Sequence, residues 1–549
     1  MLLEIINKEP LKKSLSIDEI PATIRTDMQK IIAEKCNLDI SKSTLNLNKN
    51  DCGQIVLTFK KVYDKIQTLN FSLNEVKSLV INNIMSNLFD VWRRCEYSLS
   101  FFAAIKQTFS AAIITAVLSR YINNSNIDDI LDFFFEKKDK IFSKNRPIKT
   151  IALYYYSMFN NGIARFITLI VPILLDMGYK IVVITDDIDE ERDYPLPQSE
   201  NLKRIVIKTP YDNFLGRLEE LTNYVNEYKI DLFCSHAYYG KFQPLYQILF
   251  FKLLNVPVVM EMHNIFTVIV PFNRKLDKIY RLADAIINLS RTDKTFWSNQ
   301  GCNCYYIPNP IYKEIVENRT KRDPKVNRKT ILWIGQFNNQ KQPLEIVPVM
   351  KEVVKYIPDA KINVVANPTD KILFEKVQSD IKSNSLEKNV NLCGFHLNVA
   401  PFFESADVML MTSAVEGFPY IVIENKLYEL PLVCYELPYL EFFRNGKGYI
   451  SVRQQDRHAA AMAIVKILTD DDLREKMSIE ARESIQPFID YDIAGAWKKV
   501  FDDVEANIRH DEKNFEMEQI ELLMMQSLSN QNMQIRYLNN VVNNLKQHK

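Results

Sequence analysis

The chain has 549 residues, 69 Lys and Arg against 68 Asp and Glu, and a formal net charge of +1. That balance excludes a bulk nucleic-acid binder and a generally cationic membrane protein, both of which need a surplus of positive field. With 47% hydrophobic and 25% charged residues the chain is not globally disordered, and at roughly 150 residues per domain it has room for about three or four cores. The eight cysteines are scattered without a C-x-x-C pair; Cys302 and Cys304 stand closest, so buried thiols in a reducing compartment are expected. The start, MLLEIINKEP, reaches Glu4 before any basic-then-apolar pattern develops, and a cytoplasmic setting is expected.

Residues 1–147 read as mainly helical. Ile24, Met28, Ile31 and Ile32 recur at helical spacing, and Ser72 with Glu75 forms a capping-box pattern ahead of Val76, Leu79 and Val80. Ile55 to Phe59, IVLTF, has the composition of a short strand. Leu99 to Leu118 is apolar but interrupted by Lys106 and Gln107, and reads as a buried helix rather than a span. No chemical motif occurs here; a structural helical extension is the simpler reading beside an acceptor-binding or docking module.

From Lys149 the texture changes to apolar runs alternating with helical segments. TIALYYYS, a helix from about Ala164 to Met177, and KIVVIT are followed by IDLFCSH, VPVVMEMH, DAIINLS and YYIPNP. A second series comprises ILWIGQF, KINVVAN, VNLCGF, DVMLMTS and PLVCYE. Such alternation predicts two doubly wound parallel α/β domains, and ligands of such sheets bind beyond the carboxyl ends of the strands.

Ser413 to Glu424, SAVEGFPYIVIE, follows a strand pattern and carries the strongest chemical signal. Gly417 permits a tight turn and Pro419 suits a helix start, so free backbone N–H groups would face the loop. Glu424 would sit about 7 Å further along the helix axis. Glu416 and Glu424 could then accept hydrogen bonds from hydroxyl pairs at two ends of an extended polyhydroxylated ligand.

With this segment, residues 149–505 resemble the retaining GT-B glycosyltransferases of the family 4 type. IGQFNNQKQP, Ile334 to Pro343, is similar to that family's G-R-x-x-x-x-K loop, with Gly335 and Lys341 in place. NNGIARFITLIVPILLDMGYKIVVIT resembles its first glycine loop and following strand, with Gly162 and Arg165 aligned. Ala283 to Gly301, Tyr305 to Pro310 and the tail QPFIDYDIAGAWKKVFDDV fit the approach to the domain linker and the helix that crosses back.

The resemblance implies a GT-B fold and a nucleotide diphosphate sugar as co-substrate, with no further cofactor and no catalytic metal. It makes Glu424 the ribose-binding carboxylate and Glu416 a contact of the transferred sugar. Gly162, Gly335 and backbone groups of Gly417, Phe418 and Pro419 would border the donor. Lys341 would neutralise the departing diphosphate. His263 falls where the family places a His beside the donor sugar, whereas His236 reads as structural. The chain departs from the pattern at Gln336, where Arg is usual, and at Asn161, Pro310 and Ala366 with Asn367, where glycines are usual. Loss of that Arg implies a weaker diphosphate site, compensation by a residue such as Arg165, or a non-catalytic relative. Asp187 and Asp189 form a D-x-D, but in an acidic loop far from the donor segment, and read as solvated.

In the tail, Met517, Met524, Gln531, Leu538 and Leu545 recur every seven residues, with Leu528, Ile535 and Val542 at a second apolar position. This is a heptad pattern, weakened by Gln531 and Glu521. A helix packed on the body, self-association into a homo-oligomer and contact with a membrane surface all remain open.

The expected layout is therefore a helical segment over 1–147, an acceptor-side Rossmann-like domain over 148–310 and a donor domain over 311–485. A crossing helix over 486–508 and a heptad tail over 509–549 follow. The expected activity is retaining, metal-independent transfer of a hexose-type sugar to an acceptor hydroxyl, on a carbohydrate, lipid-linked glycan or protein-linked acceptor. Bacterial-type surface polysaccharide synthesis is the expected setting, with at most peripheral membrane contact and no nucleic-acid partner. An inactive GT-B scaffold is the alternative.

Overall fold

A computed structural model describes residues 147–535, apart from 160, 190, 211–213, 238–246, 249–250, 253, 255, 270–279, 312–316, 318–325, 327, 369, 445–446, 511–517, 519, 530, 532 and 534. The expectations for residues 1–146, including the Leu99 to Leu118 helix, lie outside the described residues.

The first half is built on seven parallel strands: β1 (Thr150–Tyr154), β2 (Lys180–Thr185), β3 (Leu202–Val206), β4 (Leu232–Ser235), β5 (Val258–Met262), β6 (Ala285–Asn288) and β7 (Cys304–Tyr306). Their order across the sheet is β3-β2-β1-β4-β5-β6-β7. The second half has β8 (Thr330–Gln336), β9 (Lys361–Asn367), β10 (Val390–Gly394), β11 (Val408–Met411), β12 (Leu432–Tyr435) and β13 (Tyr449–Val452). These run in the order β10-β9-β8-β11-β12-β13, again all parallel. In each sheet the strand order reverses beside the first strand, between β1 and β4 and between β8 and β11. That reversal opens a crevice at the carboxyl ends of the strands.

The two doubly wound halves expected from the sequence are thus present, because apolar, β-branched runs such as KIVVIT bury both faces. β1, β4, β5 and β6 are buried along their whole length. β3 and β13, which the sequence reading did not single out, are edge strands, only half-buried and interrupted by polar residues.

The Ile493–Glu505 helix returns to the first half. Trp497, Val500 and Phe501 are buried in the same core as Ile151 and Val183. Phe501 meets Tyr179 edge-on at 5.2 Å, and Glu505 accepts from the Ile148 N–H at 2.6 Å. Further on, residues 520–529 are helical. This segment packs on its own chain: Leu522 is buried, and the buried Gln526 donates to Asp293 at 3.4 Å. Among the described residues no helix is long and apolar enough to cross a membrane.

Candidate active site

The carboxyl ends of the two sheets face each other across a cleft of about 350 Å³. Each wall is supplied by the loop that leaves a central strand. After β1 the chain turns into the Gly162–Asp176 helix, whose N-cap Asn161 accepts from the Ala164 N–H at 2.8 Å. The side chain at Asn161 therefore does a capping job that a glycine could not. Gly162 itself borders the cleft, and a Cβ there would meet only Tyr420 at 3.8 Å.

After β8, Gly335 is required by packing. A Cβ would stand 2.9 Å from the Trp333 ring and 3.3 Å from the stem of Lys341. Gln336 accepts from Asn338 at 3.3 Å, and Asn338 in turn accepts from the Lys341 N–H at 3.0 Å. These short-range bonds shape the loop that aims Lys341 at the cleft.

β11 leads into the Glu416 loop, and Pro419 is the N-cap of the Tyr420–Leu427 helix. Tyr439 clamps the loop: its hydroxyl accepts from the Glu416 N–H at 3.0 Å and lies 3.1 Å from the Glu416 carbonyl. Lys341 Nζ reaches Glu416 Oε1 at 2.5 Å, while Gln340 Nε2 donates to the Val415 carbonyl at 3.0 Å. Glu416 is buried in this network and borders the cleft. Gln340 stands at an unspecified position of the Ile334 to Pro343 loop and Tyr439 outside every motif read above; nothing in the local pattern marks a buried Tyr 23 residues away as a partner of Glu416.

Gly417 serves the contact between the halves. A Cβ on it would sit 3.0 Å from the His263 carbonyl and 3.5 Å from Asn264 Cα. The glycine expected for a tight turn also admits the backbone of the opposite half.

Glu424 lies deeper and does not border the cleft. It is 1% exposed, and Arg165, from the opposite half, bonds its Oε1. Burial raises the Glu424 carboxyl above its ordinary range, and Arg165 works against that rise. Its other oxygen, Oε2, is buried without a hydrogen-bond partner among the described residues. Arg165 does border the cleft, so Glu424 is approached from the cleft through Arg165.

His263 closes the floor at the end of β5. Its Nε2 lies 3.1 Å from His236 Nδ1, which also lies 3.2 Å from Glu261 Oε2. Phe166 packs edge-on against the His263 ring at 4.9 Å. Burial, then His236, depresses His263 well below the ordinary imidazole range, and burial raises Glu261. His263 is therefore a neutral imidazole, suited to hydrogen bonding rather than to charge pairing. His236 is structural in the specific sense that it holds His263. Cys234, His236 and Glu261 each place a metal-ligating type of atom within 4.8 Å of the others. Burial pushes the Cys234 thiol well up, and His236 is already bonded to His263, so the cluster as it stands is a polar support beneath the cleft.

In the Asp187 and Asp189 loop, Asp189 pairs with the neighbouring Arg192 at 2.6 Å. Burial and neighbouring carboxylates raise Asp187. Neither residue borders the cleft.

The chain matches two family models: "Glycosyltransferase Family 4" over residues 160–314 and "Glycosyl transferases group 1" over residues 314–484. Together they span well over half of the 549 residues. Poly(glycerol-phosphate) alpha-glucosyltransferase of Bacillus subtilis is 26% identical over 179 residues, covering 32% of this chain but 26% of that protein. The overlap with an uncharacterized glycosyltransferase of Haemophilus influenzae covers 28% of this chain and 42% of that relative, at 27% identity. A Campylobacter jejuni N-acetylgalactosamine-N,N'-diacetylbacillosaminyl-diphospho-undecaprenol 4-alpha-N-acetylgalactosaminyltransferase is 22% identical, and the match covers 62% of this chain and 96% of that one. Among solved structures, sucrose-phosphate synthase from Thermosynechococcus elongatus superposes with a TM-score of 0.54 at 16% identity, over 65% of this chain and 99% of that one. Anabaena Alr3699/HepE in complex with UDP and glucose gives a TM-score of 0.52 at 14% identity, over 65% and 100%. At these identities the superpositions establish the shared fold alone.

Proposed function

The chain belongs to the glycosyltransferases of group 1 and family 4, and on that premise we propose that it moves a hexose-type sugar from a nucleotide diphosphate sugar to an acceptor hydroxyl with retention at the anomeric carbon. The observation that carries this reading is convergence. Glu416, Lys341, His263 and Arg165 come from four separate strand ends and border one cleft, with Glu424 joined to it through Arg165.

The diphosphate lies against the Gly335 to Lys341 loop and the first turn of the Tyr420–Leu427 helix, whose N–H groups and dipole favour an anion. Gly162 leaves space on the opposite wall. Glu416 accepts from sugar hydroxyls and the neutral His263 bonds another. Glu424 serves the ribose through Oε2, whose lack of a partner among the described residues fits a hydroxyl donor from the ligand. As the anomeric carbon–oxygen bond to the phosphate breaks, Lys341 meets the developing charge. The acceptor oxygen attacks the same face, and its proton passes to the departing phosphate oxygen. No metal takes part in this reading.

The acceptor class is a glycan or polymer of a bacterial-type surface glycoconjugate, assembled in the cytoplasm or at a membrane face. The names of the Bacillus and Campylobacter relatives, a glycerol-phosphate polymer and an undecaprenol-linked sugar, support that class. Gln336, in place of the usual Arg, favours one rival: a GT-B scaffold without turnover.

A panel of UDP-, GDP- and ADP-sugars, assayed for hydrolysis and transfer with the wild type and Glu416→Ala, tests the proposal. Turnover of one donor, lost in the variant, supports it. Absence of binding to every donor overturns it.

A further inference from the structure

Glu261 is a buried carboxyl group beneath His263 with no part in the chemistry described so far. The register pairs Ser235 of β4 with Met260 of β5, so His236 and Glu261, one residue further on, stand side by side. Alternation along the strand then returns His263 to the face that carries Glu261. Three polar side chains thereby form a short chain from the interior to the cleft. Glu261 is 1% exposed and His236 fully buried, and the buried Phe166 ring covers both imidazoles, 5.3 Å from His236 and 4.9 Å from His263. Of the three, only His263 borders the cleft.

One nitrogen, His236 Nδ1, lies between the other two groups, 3.2 Å from Glu261 Oε2 and 3.1 Å from His263 Nε2. A proton on Nδ1 sets one donor between two acceptors. A bare Nδ1 would either face an ionised carboxylate, lone pair against lone pair, or offer a single lone pair to two hydrogens. It would also move the His236 proton to Nε2, which is buried without a hydrogen-bond partner among the described residues, and buried N–H groups without an acceptor are rare. We propose that Glu261 and His236 are positioning residues that fix the tautomer of His263: the carboxylate keeps the His236 proton on Nδ1, His263 Nε2 accepts from that N–H, and the His263 proton is confined to Nδ1, the nitrogen left for a ligand. Burial opposes the charge on Glu261, and the hydrogen bond from His236 supports it. His263 is then a hydrogen-bond donor to the sugar. With its lone pair engaged by His236, it is not the base that takes the proton of the acceptor hydroxyl. This inference rests on the donor-sugar reading of the cleft and adds the direction of one hydrogen bond to it.

The test uses the full chain with its histidines labelled by nitrogen-15. There are only 6 histidines, few enough for a two-bond proton–nitrogen correlation spectrum, which separates the two neutral tautomers. His236→Gln and His263→Gln assign the two rings. In the ligand-free wild type both rings are expected with the proton on Nδ1. Glu261→Met removes the carboxylate at similar volume and lets the bond between the two histidines run in either direction, so a second set of His263 signals, with the proton on Nε2, should appear. With the donor that the wild type turns over, this variant should lose about 5- to 10-fold in kcat/KM while its affinity for the nucleoside diphosphate stays within about twofold, because only the sugar meets His263. A wild-type His263 protonated on Nε2 overturns the proposal without reference to any variant, and a Glu261→Met spectrum identical to that of the wild type overturns the role of the carboxylate. Equal losses of diphosphate and donor affinity overturn positioning in favour of a general structural role. The spectrum is read without ligand and so separates this inference from the reaction: a chain that binds no donor but keeps both protons on Nδ1 defeats the reading of the cleft and leaves the tautomer assignment standing.

Discussion

Replacing Arg165 with methionine keeps most of the side-chain volume and removes the one charge bonded to Glu424 Oε1. Glu424 is 1% exposed, so an ionised carboxylate left there alone would cost about 3–5 kcal/mol. Burial already raises its pKa against the opposing pull of Arg165, so without the guanidinium the carboxyl is pushed further up and avoids part of that cost by binding a proton. On the proposed reading, a neutral carboxyl exchanges charge-assisted hydrogen bonds with the ligand for ordinary ones. The difference is about 1–2 kcal/mol, or about 5- to 30-fold in the dissociation constant. Because the ionised form is the better acceptor, the lost affinity returns as pH rises through the elevated pKa, at a higher pH than the corresponding rise in the wild type, whose carboxyl Arg165 holds lower.

Calorimetry with the nucleoside diphosphate of the active donor, at a mildly acidic and a mildly alkaline pH, reads this out. A double-mutant cycle completes it. Glu424→Gln should cost about tenfold in the wild-type background and less than about twofold in the Arg165→Met background at the lower pH. Equal costs in both backgrounds would refute coupling through this pair. Tighter binding by Arg165→Met would show instead that the arginine competes with the ligand for Glu424.

Gly417→Ala brings a methyl group to 3.0 Å from the His263 carbonyl and should destabilise the contact between the halves by about 1–3 kcal/mol, seen as a lower melting temperature and a larger radius of gyration. Asp293, buried beneath Gln526, has its carboxyl raised from 3.8 to about 6, chiefly by burial. A raised folded-state pKa contributes stability that is complete below about pH 4 and lost as pH rises through about 6; Asp293→Asn should therefore gain up to about 3 kcal/mol over the wild type at pH 7.5, a gap that closes on acidification to pH 4 in thermal melts. Lys341→Ala should lower kcat by about 10²–10³-fold with a smaller change in KM, in steady-state assays with the active donor.

The strands that bury both faces were legible because parallel sheets impose continuous apolar runs, as in KIVVIT and DVMLMT. β3 and β13 were not, since edge strands mix polar and apolar residues without a clean period. The Glu416 to Glu424 loop could be read because its residue types carry local meaning: a turn glycine, a helix-starting proline and two carboxylates. Its partners could not. Arg165 meets Glu424 across 259 residues of sequence, and no periodicity encodes that distance. Asn161 illustrates a different failure. Read as a glycine lost, it is an N-cap gained. Gly335 and Gly417 stood out in the sequence as glycines of the expected donor loops, and the bodies that crowd them are the Trp333 ring and the opposite half's backbone.

Both cations aligned with the family's donor site, Lys341 and Arg165, are engaged by glutamates in this structure. Arg165 borders the cleft and its charge offsets Glu424. The Lys341 and Glu416 pair is the one an arriving ligand meets with both partners, because both border the cleft, whereas Glu424 lies deeper behind Arg165. On the proposed reading, an arriving diphosphate draws Lys341 away from Glu416, and the sugar hydroxyls then replace the ammonium group as the donors to that carboxylate. Neither replacement is favourable alone. A diphosphate without a sugar would leave the buried Glu416 without its cation, held only by Gln340 at 3.4 Å among the described residues, and a free sugar would have to displace a charge-assisted bond with a neutral one. Binding of the two ends of the donor is thereby coupled through the Lys341 and Glu416 pair, which gives a lean phosphate site a way to prefer the intact nucleotide sugar over either fragment.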